Sequence, residues 1–341
     1  MTIQSFGLCH AVRTTPESKP HHRQVDFGYY FTSRACSGAI ERKTNGVQQL
    51  RTVIVGALNI VMPEPHNPDR YVELLKKAYR SKRAIKIRGQ FAGILGSFDG
   101  HEEDGFYYGE VFKFYDLKLS GKWLNMLQQA PAEEHDLAKL NVPEHLKPGL
   151  EAFPFLFHAP SHRLFFISRE TDEHLGPMDA GRYFRELLNQ PRLAEQYGQI
   201  NVTVIPAADT LDRIFALPDL RKLHIVITPP NPDDWEDLEQ DIKERLTEQN
   251  AATMVTVLVA EKGESLVPNE STRMLSEVAQ ANGYVEARGA TEGGKVSTFS
   301  TKQHPMLAPA NYDPDVETVR TALLSAANDY ISRIRRARHQ N

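Results

Sequence analysis

The stretch TVIVGALNIVM, residues 52–62, constrains the fold more than any other part of the chain. It is apolar and β-branched, so it reads as a buried strand. The next stretch, NPDRYVELLKKAYRS, reads as a helix. Asn67 can cap it, Pro68 suits its first turn and Asp69 complements the positive helix end. Val72, Leu75 and Tyr79 recur at helical spacing. AIKIRGQFAGILGSF then alternates, with Ile85 and Ile87 opposing Lys86 and Arg88. The polar DGHEEDG turns the chain into a second alternating strand, FYYGEVFKFYD. A short strand at KWLNML completes this part.

The polar segment 128–149, with three prolines, reads as a linker. FPFLFHAPSHRLFFISRE follows as a hairpin turning near Pro160–His162. Next come a helix from about Pro177, interrupted at Pro191 and stopped at Gly198, then strand INVTVIP, helix DTLDRIFAL and strand KLHIVIT. The remainder reads as a helix over 233–249, strand TMVTVLVAE, helix NESTRMLSEVAQAN with Gly283 as its C-cap, and hairpin YVEARGATEGGKVSTFST. A last helix opens at YDPD, with Asp313 capping and Val316, Val319, Leu323, Ala327, Tyr330 and Ile334 on one stripe.

This order predicts an α+β fold of mixed or antiparallel sheets with helices on one face. At least one unit has ferredoxin-like or RRM-like element order. The expected divisions are an extension (1–50), a β-α-β-β unit (51–128), a linker (129–150), a central α+β unit (151–230) and a C-terminal α+β unit (231–341) that ends in a basic helix.

The chain has 341 residues, 40% apolar and 25% charged, as is ordinary for a soluble globular protein. Its 40 basic and 44 acidic side chains give a net charge of -4, so any surface for a polyanion must be local. Two cysteines, Cys9 and Cys36, cannot build a disulfide framework. No secretory signal or spanning apolar run is visible, and a cytoplasmic protein with no membrane partner is expected. Cys9, His10, His21, His22 and Cys36 are zinc-ligand types, but their spacing matches no tight knuckle. No metal or cofactor is expected.

Eight carboxylates between Asp233 and Glu248 look at first like a site. On a helical wheel Trp235, Leu238, Ile242 and Leu246 form a buried stripe, Asn231 caps, and Asp233 and Asp234 complement the helix dipole. Glu239–Lys243 would be an i,i+4 pair. An amphipathic helix accounts for the whole cluster.

KKAYRSKRAIKIR, residues 76–88, is the stronger candidate. It holds Lys76, Lys77, Arg80, Lys82, Arg83, Lys86 and Arg88 and no acid. On a slightly anionic protein such a cluster is a focused positive field suited to phosphate, and its bland alternative is a solvated helix end. The neighbouring strand carries Phe106, Tyr107, Tyr108, Phe112, Phe114 and Tyr115. Tyr107 or Tyr108 would serve as a stacking platform for bases, although half of these rings must face the core. DGFYYGEV matches the RRM signature only weakly. Arg335, Arg336 and Arg338 would extend the patch if the last helix packs nearby.

The turn holding Asp99, His101, Glu102 and Asp104 could take a divalent cation for a nuclease or toxin, though a solvated hairpin is the simpler account. His158, His162 and His174 lie near Asp172 and Glu173 in sequence without fixed geometry. No nucleophile elbow, P-loop or zincin motif occurs, so catalytic residues are not assigned.

GALNIVMPEPHNPDRYVELLKKAY, GKWLN, KLHIVITPPNPDD, NGYVEARG and KVSTFSTKQHP together resemble an uncharacterised bacterial family, known as a domain of unknown function, from about Val53 to past Asp315. The resemblance implies a bacterial cytosolic protein from phage-defence gene neighbourhoods. The leading expectation is a protein that binds nucleic acid through the 76–88 cluster, as a component of the antiviral system that the resemblance implies. The alternatives are a metal-dependent nuclease or toxin, and a protein-interaction subunit whose acidic helix meets a partner from the same gene neighbourhood.

Overall fold

Strand β1 (Arg51–Val61) is buried from Val53 onward apart from Ile54, because it lies inside a sheet covered on both faces. The computed structural model describes residues 50–338 apart from 66, 118–120, 141 and 231–236; the side chains of 99–103, 237, 337 and 338 also lie outside the description. Helix α1 (Pro68–Arg80) begins as its sequence requires, with the Asn67 side chain accepting from the Arg70 N–H at 2.9 Å. Strands β2 (Ile85–Arg88), β3 (Phe91–Glu103) and β4 (Phe106–Tyr115) follow. A small excursion then holds β5 (Leu124–Asn125), β6 (Ala130–Pro131) and one turn of helix, α2 (Glu134–Leu137).

The chain returns as β7 (Glu151–His158), a 3-10 turn (Ala159–Ser161), β8 (Arg163–Glu170) and β9 (Glu173–His174). Helices α3 (Pro177–Leu188) and α4 (Pro191–Tyr197) lead to β10 (Asn201–Val204) and α5 (Thr210–Phe215). The last part comprises β11 (Asp219–Ile227), α6 (Asp237–Glu248), β12 (Met254–Val259), α7 (Glu270–Asn282), β13 (Gly283–Ala290), β14 (Val296–Ser300), β15 (Ala308–Tyr312) and α8 (Val319–Arg338).

The α+β class holds, with every strand pairing antiparallel among the described residues. The large sheet runs β10-β1-β8-β7-β4-β3-β2, with β15 also on β1 and β9 on β8. The segment 129–150 does not separate two sheets: β4 pairs β7 from Phe106↔His158 to Lys113↔Glu151, so residues on either side of it share one sheet. The second sheet runs β12-β11-β13-β14.

Helices cover both faces of the large sheet. One face packs Tyr71, Leu74 and Leu75 of α1 and Tyr183, Phe184 and Leu187 of α3 against Phe153, Phe155 and Phe157. The other packs Leu323, Ala327 and Ile331 of α8 against Val53, Val55, Ala57, Phe165 and Ile167. Helix α8 starts later than expected. Asp313 accepts from the Asp315 N–H in a preceding turn, Val316 is exposed, and Thr318 Oγ1 accepts from the Thr321 N–H at the helix start.

In α6, Leu238, Ile242 and Leu246 face the core of the small sheet as the wheel predicts. Asn231 and Asp233 to Glu236 lie outside the described residues. Lys243 pairs with Glu64 at 2.7 Å rather than with Glu239, which instead accepts from Asn282 Nδ2 at 3.2 Å. Gly283 does not end α7 in a left-handed cap. It is extended, and a Cβ there would collide with the Val226 carbonyl oxygen, so glycine is needed for the close approach of β13 to β11.

Candidate nucleic-acid interface

Strand β2 is an edge of the large sheet. Its alternation buries Ile85 and Ile87 and leaves Lys86 and Arg88 exposed. Helix α1 ends just before it. Ser81 Oγ donates to the Ala78 carbonyl at 2.7 Å, and Lys82 takes a left-handed φ of 49° that turns the chain out of the helix. Arg80, Lys82 and Arg83 are exposed around this turn and Lys76 is half-buried.

The cations differ in their partners. Lys77 is neutralised: its ammonium pairs with Glu73 at 2.7 Å, donates to Gln196 Oε1 at 3.0 Å and lies over the Tyr197 ring. That hydrogen bond from Lys77 holds the Glu73 carboxyl below its usual range. Among the described residues, Lys76, Arg80, Lys82, Arg83, Lys86 and Arg88 make no ion pair. The cluster is six unpaired cations, with Lys77 removed from it.

Helix α3 adds cations that the sequence pattern did not reveal. Exposed Arg182 donates to the Ile87 carbonyl at 3.1 Å and so holds β2. Arg185 shares a cleft with Arg83, Asn189, Gln190 and the acidic Glu186. Both lie in GRYFRELL at i,i+3, where Tyr183, Phe184, Leu187 and Leu188 take the buried face. An i,i+3 arginine pair on an outward helix face is a legible signal, but only once the helix is known to lie beside β2.

The expected stacking residues do not fit. Tyr107 is only 9% exposed, inside the core beside Phe98. Tyr108 is half-buried, with its hydroxyl donating to Glu110 at 3.0 Å and Arg320 of α8 over its ring at 4.6 Å. Burial, the nearby Glu110 charge and that hydrogen bond raise its phenol to about 12. Two aromatics at the cluster are exposed: Tyr79, within α1 between the cations, and Tyr115, packed on Phe91, the register partner of Arg88.

Arg335 and Arg336 are exposed on α8 but lie elsewhere. The Arg335 charge acts on His158, whose register partner is Phe106 at the start of β4. Arg88 lies level with Tyr115 at the end of β4. At about 3.3 Å per residue these points are roughly 25–30 Å apart, so α8 does not extend the patch. The Arg338 side chain lies outside the described residues.

The histidines do not converge. His158 Nδ1 and Ser161 Oγ share a hydrogen bond at 2.7 Å, His162 is buried and stacked on Tyr71, and His174 lies level with the far end of β8. Burial, with Arg335 and Arg163 nearby, depresses His158 to about 4, so it is neutral near pH 7. Among the described residues no group of three His, Cys, Asp or Glu side chains could hold a metal ion. The side chains of Asp99, His101 and Glu102 lie outside the description, as do Cys9, His10, His21, His22 and Cys36; Asp104 is exposed. No helix among the described residues is long and apolar enough to cross a membrane.

Comparison with the curated proteins gives no match. The family model described as Domain of unknown function (DUF4747) matches residues 51–328 and so spans both sheets, and the chain belongs to that family.

Proposed function

We propose that the chain is a nucleic-acid-binding component of a bacterial antiviral system, acting in the cytoplasm and gripping phosphate backbone along the β2 edge. The observation that supports this reading is the row of unpaired cations Lys76, Arg80, Lys82, Arg83, Lys86 and Arg88, which no carboxylate among the described residues neutralises. The bacterial and defence setting rests on the family resemblance. Because Tyr107 and Tyr108 are occupied by packing, binding is dominated by phosphate contacts and weakly sensitive to base identity. The test is fluorescence anisotropy with a labelled single-stranded oligonucleotide over a salt series. Lys82→Glu/Arg83→Glu should weaken binding at least about tenfold. The neutral Lys82→Gln/Arg83→Gln should reduce the log–log salt slope by about 1.4, or ~0.7 for each phosphate no longer neutralised. Unchanged affinity in both variants refutes the assignment.

A protein partner is the second reading. It is supported by the excursion between β4 and β7, where Leu124 is 62%, Met126 77% and Leu127 98% exposed. Clustered exposure of large apolar side chains is the usual mark of an interaction surface.

A further inference from the structure

The edge strand β10 meets the end of the small sheet at a cleft of about 200 Å³. Arg185, Asn201, Thr203, Thr228, Tyr284 and Lys302 contribute its polar lining, and no acidic residue lines it. Two cations reach it from different elements. Arg185 donates one N–H to the Val202 carbonyl at 2.8 Å and makes no ion pair among the described residues, which leaves the rest of its fork available. The Lys302 ammonium sits 3.2 Å from the Tyr284 ring centroid and has no hydrogen bond or ion pair among the described residues. Burial lowers the Lys302 pKa, the Glu286 charge opposes that shift, and the Arg185 charge adds a smaller lowering, so the two positive charges sense one another across the cleft.

The backbone adds donors. The Ile205 N–H bonds the Ala57 carbonyl, and the Ile60 N–H turns away to His162. Antiparallel alternation therefore aims the Val202 and Val204 N–H groups at the outer edge of β10, the side on which Arg185 already meets the Val202 carbonyl. A forked guanidinium, an ammonium and edge amides thus surround a small space whose lining holds no carboxylate, with Glu286 acting on Lys302 from outside the lining. A compact anion that accepts hydrogen bonds from several directions fits such a space better than a planar carboxylate does.

We propose that this cleft binds a phosphoryl group, either of a small free phosphate or at the 5′ end of a nucleic-acid strand. The site shares Arg185 with the cleft that Arg83 lines, but it is probed by a different lysine, Lys302, and by a ligand with no backbone to track.

The experiment uses the full chain and two-dimensional NMR titration at constant ionic strength, with inorganic phosphate, sodium acetate and sodium chloride as separate titrants. A second arm compares 5′-phosphorylated with 5′-hydroxyl forms of one short oligonucleotide. Inorganic phosphate should saturate shifts around Tyr284 and Lys302, acetate and chloride should not, and Lys302→Gln should weaken phosphate binding at least about tenfold. Lys302 is exposed, so this variant should keep the wild-type melting temperature. Tyr284→Phe keeps the ring beneath the ammonium and should bind phosphate within about threefold of wild type. If a strand end is the physiological source, the 5′-phosphoryl oligonucleotide binds tighter than the 5′-hydroxyl form and Lys302→Gln removes the difference. If the source is a free phosphate, the two oligonucleotides bind alike while inorganic phosphate still saturates. The proposal is overturned if phosphate binding equals that of acetate and the two oligonucleotides bind alike, or if Lys302→Gln leaves every phosphate effect intact. Lys82→Glu/Arg83→Glu changes no residue that lines this cleft and should shift inorganic phosphate affinity by less than about threefold, so failure of either reading can be told from failure of the other.

Discussion

Single side chains in this protein carry marked electrostatic asymmetries, and His158 is the clearest. Its ring is buried beside Phe106, and its pKa falls to about 4 because burial disfavours the charged form and Arg335 and Arg163 repel it. In the unfolded chain the ring returns to its ordinary value of ~6.5. Between these values the unfolded state binds more protons, so stability is full above about pH 6.5 and falls as pH drops toward 4. The difference corresponds to about 3 kcal/mol at its upper limit. Melting temperatures recorded between pH 7 and 4.5 should therefore fall less in His158→Gln than in the wild type. Parallel curves for the two proteins would show that other groups govern acid unfolding.

At the scale of elements, the interface depends on holding an edge strand in place. Strand β2 has only β3 beside it among the described residues, and Arg182 of α3 ties down its outer carbonyl at Ile87. Removing that guanidinium leaves the carbonyl to water, at a cost of about 1 kcal/mol, and loosens the strand that carries Lys86 and Arg88. Arg182→Ala should thus raise amide exchange along residues 85–88 selectively and weaken oligonucleotide binding a few-fold. If exchange there is unchanged, the bond is not what positions the strand.

The same element explains what the sequence disclosed. The alternation of Ile85 and Ile87 with Lys86 and Arg88 predicted the exposed cations, because period-two patterning is local. Local capping chemistry likewise located α1 through Asn67. Strand neighbours are not local. Nothing in the residues told that β15, containing Pro309, would pair the first half of β1 while β10 paired the second half. Nor did the aromatic alternation of β4 reveal that α8 would cover the second face and place Arg320 over Tyr108. The stacking platform failed for that reason, and the Arg182 and Arg185 contribution was missed because α3 is brought beside β2 only by tertiary packing.

At the scale of the molecule, the two sheets meet through a small polar junction rather than an apolar one. Asn59, fully buried within β1, donates from Nδ2 to the Ala281 carbonyl and to Asn282 Oδ1, each at 3.1 Å. Asn282 in turn donates to Glu239, and the Thr228 hydroxyl donates to the Asn282 carbonyl. The α7 carbonyls bound here belong to the last helical turn, where no intrahelical donor is available to them. Thr228 and Gly283 also line the proposed phosphoryl cleft, so the geometry of that cleft follows from the junction. Asn59→Leu keeps the volume but strands the Ala281 carbonyl and Asn282 Oδ1, while it removes an Asn59 Oδ1 that has no hydrogen-bond partner of its own. The net loss should be about 1–2 kcal/mol, because an unmade buried hydrogen bond costs its full desolvation. Denaturant titration of Asn59→Leu should show that loss, together with weaker inorganic phosphate binding and a smaller effect on the β2-edge ligand, since β2 is held by Arg182 and not by this junction. A variant as stable as wild type that still binds phosphate normally would mean that the apolar contacts of α7, not this asparagine, fix the small sheet against β1.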